Sequence, residues 1–146
     1  MANAAVASTH ETGARAGEEL GARLREQLSG TAPDAVIVFA SPQQDHRALL
    51  RALREACDPG VVVGCSSAGE FTSEESGVGL SCAVGLAGDD MRFAACLGRG
   101  LRTDRTAAAE AIVAGFRGLD APGFRHRSAL VLTDALAGFA DDLVDR

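Results

Sequence analysis

Between Ala35 and Cys65 the chain reads as strand, helix, strand, and that order over about thirty residues leaves few folds open. Ala35-Val-Ile-Val-Phe-Ala40 is short, continuous and apolar, the pattern of a strand covered on both faces. Ser41-Pro42 breaks it. Asp45 is placed to cap a helix running to Ala56, with Leu49, Leu50, Leu53 and Ala56 turned inward. Asp58-Pro59-Gly60 ends that helix, and Val61 to Cys65 supplies the second strand. Such a unit crosses over right-handed and pairs its strands in parallel. The ends Ala40-Ser41-Pro42 and Gly64 to Ser67 then form two walls of one crevice.

The rest of the chain is read around this unit. Residues 1–11 are expected to be a flexible leader, and residues 12–146 one α/β domain. From Thr12, Ala16, Leu20, Leu24 and Leu28 recur every fourth residue among charged neighbours, which predicts an amphipathic helix. Ser29-Gly30 stops it and Pro33-Asp34 makes a turn. Phe71 to Gly79 is polar and reads as a loop carrying Glu74 and Glu75. Val78 to Leu86 and Met91 to Leu97 read as strands joined at Gly88-Asp89-Asp90, an antiparallel hairpin beside the parallel pair. Thr103 or Asp104 caps a later helix whose inward residues are Ala107, Ala108, Ala111, Ile112 and Phe116. Ser128 to Thr133 reads as another short buried strand, and Phe139 to Arg146 as the start of a helix. The expected fold is α/β: a mixed, mostly parallel β-sheet, at least three strands of it parallel, with flanking helices.

Composition removes several functions. At 146 residues, 47% apolar and 23% charged, the chain can bury a real core and is not expected to be disordered beyond its ends. The net charge of −6, with arginines scattered, argues against a nucleic-acid partner or an anionic membrane surface. Every basic residue is Arg, so Schiff-base lysine chemistry and the Walker lysine are excluded. Cys57, Cys65, Cys82 and Cys96 show no C-x-x-C spacing, so neither a zinc site nor a redox motif is expected. No stretch approaches the ~20 apolar residues of a membrane span, and the Ala-rich start lacks a basic leader. A cytoplasmic protein with reduced thiols is the expectation.

Nucleophilic chemistry finds weak support. Gly64-Cys65-Ser66-Ser67-Ala68 comes close to the G-x-S-x-G elbow, but a polar loop follows where the elbow needs a helix. Cys65 with His46 or His126 as base is the other arrangement. Gly98-Arg99-Gly100 before a capped helix lacks the third glycine of a dinucleotide fingerprint, since position 103 is Thr, and reads as a turn. Asp89-Asp90, Glu74-Glu75 and Asp141-Asp142 are adjacent pairs that point apart, so they read as solvated charge and no metal is expected.

The coherent constellation is polar and non-catalytic. Ser41, Ser66, Ser67, Thr133 and Asp134 fall at the ends of strands expected to run parallel, with Glu70 close by. Gly64, Cys65 and Gly69 keep the main chain there uncovered. Hydroxyls and amides bind a carboxylate, and Glu70 or Asp134 pairs with an ammonium. A free amino acid or similar zwitterion satisfies both. The plainer reading is a tight strand exit whose Gly and Ser residues serve turn geometry alone.

Val36-Ile-Val-Phe-Ala-Ser41, Val62-Val-Gly-Cys-Ser-Ser-Ala-Gly-Glu70, Gly77-Val-Gly79 and Leu132-Thr-Asp-Ala-Leu-Ala-Gly138 resemble, in order, the N-terminal FIST domain of F-box and intracellular signal-transduction proteins. The resemblance runs from about Asp34 to the end, and Gly64 to Glu70 is its most specific part. It implies a bacterial sensory domain that binds small ligands, proposed to include amino acids, and signals to a neighbouring module in cis or in trans. It also implies further strands and a second domain beyond residue 146, hence an incomplete sheet with an open edge that favours homo-oligomers. Where the family commonly has Asp-Gly-Leu-Ser-Gly, Asp134-Ala-Leu-Ala-Gly138 lacks a glycine and a hydroxyl. Some relatives look like haem-based nitric-oxide sensors, for which His10, His46 and His126 are the histidines on offer. The expectation is a ligand-binding sensor without a cofactor; the alternatives are a small hydrolase or transferase using Cys65 or Ser66, the haem sensor, and a pure protein-interaction domain.

Overall fold

The strand–helix–strand unit is present and parallel in the structure, a computed structural model that describes residues 2–117, 123–124 and 126–134. In chain order the elements are β1 (Asn3–Thr9), α1 (Gly13–Gln27), β2 (Ala35–Ala40), α2 (His46–Cys57), β3 (Val61–Ser66), β4 (Glu70–Phe71), β5 (Ser76–Gly77), β6 (Ser81–Ala87) and α3 (Arg105–Arg117). The chain divides into two units, Met1–Phe93 and Ala94–Arg146.

The first unit holds a mixed four-stranded sheet in the order β1-β6-β2-β3. β2 and β3 pair in parallel from Ala35↔Val61 to Ala40↔Ser66. β6 runs antiparallel to both of its neighbours, β1 and β2. One side of the sheet, carrying Ala5, Ala7, Val36, Val38, Ala40, Ala83 and Ala87, forms the core with Ala16, Leu20 and Leu24 of α1 and Leu49, Leu53 and Cys57 of α2. The two helices approach closely because α1 presents glycine to α2. A Cβ at Gly17 would overlap the carbonyl oxygen of Leu49 and stand 2.8 Å from the Leu53 nitrogen, and one at Gly21 would stand 2.6 Å from Ala56 Cβ. Asp45 caps α2 as expected, accepting from the Ala48 amide at 3.0 Å, while Leu50, expected inward, faces outward.

Four expectations are corrected. The supposed leader is largely β1, an edge strand with Ala5 and Ala7 buried. Alanine favours helices over strands, so local propensity hid an element that exists through its pairing with β6. Residues 91–97 are not a strand: Gly88 to Met91 makes the turn, but β1 and β2 already occupy both edges of β6. Ser128 to Thr133 is not a strand either, and Leu130 is 64% exposed. So among the described strands one pairing is parallel, not the several expected.

In the second unit, Asp104 caps α3, accepting from the Ala107 amide at 2.9 Å. Ala108 and Ala109 are buried and Ile112 and Phe116 half-buried, so the inward stripe is shifted from the expected one, with Ala107 and Ala111 exposed. The helix expected from Phe139 lies outside the described residues.

Candidate functional site

The parallel register sets Ala40 opposite Ser66, and the chain leaves both strands together. The Ser67 amide donates to the Ala40 carbonyl at 3.1 Å, so the two exits stay joined one residue past the sheet. On the other flank of β2 the Ser41 amide donates to the Leu80 carbonyl at 3.3 Å, which brings the start of β6 to the same corner. Ser41 itself is buried; its carbonyl accepts from the Gln44 amide at 3.0 Å and lies 3.0 Å from Nε2 of His46. That contact requires the proton on Nε2, since a carbonyl can only accept.

Ser66, Ala68 and Gly69 are exposed around this corner, as are Gly64 and Cys65 on β3. The glycine at 64 answers to the neighbouring strand: a Cβ there would overlap the Val38 carbonyl oxygen and stand 2.8 Å from its carbon. Glu70 is the unusual group. Only 4% of it is exposed. Its Oε1 accepts from the Ser67 hydroxyl at 2.6 Å, and its Oε2 is buried with no hydrogen-bond partner among the described residues. A buried acceptor without a donor is rare in folded chains and calls for a reason. The charge of Glu70 reaches β6: burial first, then Glu70 and Glu75, push the Cys82 thiol up.

Glu70 opens a small hairpin, β4 paired with β5 through Glu70↔Gly77 and Phe71↔Ser76. Its turn is stitched by Thr72, whose hydroxyl accepts from the amides of Glu74 and Glu75 at 3.2 Å each. The turn ends on Glu75, which accepts from the Ser8 hydroxyl and lies 3.3 Å from Nε2 of His10. The Ser8 bond, foremost, with His10 and Arg23 adding, holds the Glu75 carboxyl below its ordinary range. Arg23 in turn donates to the Ser8 carbonyl at 2.7 Å and pairs with Glu19, and Glu19 accepts from Thr9 at 2.5 Å.

Of the residues singled out in the sequence, Ser41, Gly64, Cys65, Ser66, Ser67, Gly69 and Glu70 come from one β-exit region. Thr133 and Asp134 belong to the second unit, where both are exposed and Asp134 pairs with Arg102 at 3.2 Å. His46, offered in the sequence as a base for Cys65, reaches back to the end of β2. Glu75, expected to be merely solvated, spans 67 residues to Ser8. The Gly98 to Gly100 segment has no regular structure and leads into a turn at residues 101–103, and the N-terminus of α3 behind it is filled by the carboxylate of Asp104. Among the described residues no group of three metal-ligating side chains forms, and no helix is long and apolar enough to cross a membrane. Two surface clefts, of about 370 and 340 Å³, lie against α1 and between β1, α1 and Thr72 to Glu74; Ser41, Ser66, Ser67 and Glu70 line neither.

The family described as the FIST N domain matches residues 34–146, well over half of the chain. No curated protein and no solved structure matches. Its span contains β2, α2, β3, the hairpin and β6, the elements that make the Glu70 corner. The chain therefore belongs to the FIST N domain family, a family of sensory domains in signal transduction.

Proposed function

We propose that this domain senses a small zwitterion, a free amino acid being the simplest, and that Glu70 receives its ammonium group. The observation that carries this reading is the unpartnered, buried Oε2 of Glu70. An ammonium supplies up to three donors and a compensating charge, which is what such an oxygen lacks. Exposed Ser66 and the bare main chain at Ala68-Gly69 stand on the same β-exit and suit the ligand's carboxylate. Occupancy is relayed to a signalling module in cis or in trans, in the cytoplasm, and the outer edge of β3, which pairs with no other strand among the described residues, is the proposed contact between copies. No catalytic step is assigned to Cys65 or Ser66.

Calorimetric titration of the folded chain with each common amino acid tests the reading. Heat is expected from at least one of them, lost in Glu70→Gln and retained in Cys65→Ala. Silence from all of them, with the protein shown folded, overturns it.

A further inference from the structure

A carboxylate that is 4% exposed cannot meet a ligand from solvent unless the segment that carries it moves. We propose that the β4–β5 hairpin, of which Glu70 is the first residue, is a strap that holds the Glu70 carboxylate inward, latched to edge strand β1 by Glu75, and that releasing the latch turns Glu70 out to solvent.

Four features support this. The strap has little to hold it but its polar bonds: Phe71 is 80% and Val78 84% exposed, so its apolar side chains gain nothing from the core. Segments with few buried apolar contacts open first. Its turn is internally tied, with the Thr72 amide donating to the Glu75 carbonyl at 2.8 Å and the Thr72 hydroxyl accepting twice, so residues 72–75 move as one piece. Glycines flank the piece on both sides. Gly69 has open space around it, with nothing nearer a Cβ than the Gly77 oxygen at 3.7 Å, and Gly79 sits at φ +90, a conformation that costs glycine little. Beyond Gly79, Leu80 is fully buried and fixes the return leg. The latch is then one side chain, Glu75, against Ser8 and His10. Both partners precede the span matched by the family, so the strap is fastened to a part of this chain that the match does not cover.

The strap rests on the zwitterion reading only for what enters once it opens, and the test separates the two. The full chain is treated with a water-soluble carbodiimide and glycine ethyl ester, and Glu70 modification is followed by peptide mass spectrometry. Amide hydrogen exchange is read in parallel. In Glu75→Gln, modification of Glu70 is expected to rise roughly tenfold, the scale of losing a hydrogen bond to a charged group. Exchange across residues 70–77 should quicken while α1 and β2 keep their protection. Ser8→Ala, which leaves Glu75 in place, should give a smaller change of the same kind and serves if Glu75→Gln does not fold. Glu70 modified as fast in the parent as in the variants, or as slowly in the variants as in the parent, overturns the strap. If Glu70 opens in Glu75→Gln but no amino acid gives heat with either protein, the strap stands and the zwitterion reading falls.

Discussion

Glu70 is a residue whose stability and use pull in opposite directions. One oxygen is served by Ser67 and the other by no group among the described residues, and a buried acceptor left so costs about 1–3 kcal/mol. Glu70→Gln removes the charge and keeps the shape, so its thermal midpoint should rise by a few degrees, about 2–4 °C for each kcal/mol in a chain this long. A midpoint that falls would mean that Oε2 is already satisfied in solution. The acid itself was legible, because Gly64 to Glu70 is short, polar and Gly-bounded directly after an apolar strand. Glu75 was not. Its partner Ser8 lies 67 residues away, and nothing local distinguishes a carboxylate that reaches a distant hydroxyl from one that faces water.

At the level of elements, α1 and α2 approach closely, and the approach depends on Gly17. The Cβ of an alanine there meets main-chain atoms, the Leu49 oxygen and the Leu53 nitrogen, which cannot swing aside as a side chain can. Gly17→Ala should therefore lose about 2–3 kcal/mol despite the better helix propensity of alanine, seen as a lower urea midpoint at unchanged slope. An unchanged midpoint would mean that the helices part freely. Elements whose own residues carry a period or an unbroken apolar run were readable: α1, α2 with its Asp45 cap, β2 and β3. β1 was not, since three of its seven residues are alanine and only Val6 and Thr9 favour a strand, and it is held by β6 and by α1 above it. The expected strand at 91–97 failed for a reason no local pattern carries, the prior claim of β1 and β2 on β6.

For the whole molecule, the sheet of the first unit ends in two strands of different character. β1 is tied down by side chains, with Gln27 bonding both the amide and the carbonyl of Val6. β3 has a partner on one side only among the described residues. Pairing between copies through that edge should make the mass measured by size exclusion with light scattering rise with concentration, and a charged or proline substitution at Val63 should abolish the rise. A monomer at every concentration removes the edge as a contact. The α/β class follows from the strand–helix–strand unit, and the mixed sheet was read from a hairpin of which only the first strand, β6, is present; the strand order was not legible, because it is decided by contacts between segments far apart in the chain.

That order also has a consequence in time. The central strand β6 is made after both strands that flank it, so a ribosome releases β1 and β2 long before the element that joins them exists. Until Ala87 has emerged, the first strand has nothing to align with, and the sheet is completed by the late arrival of a strand in its middle.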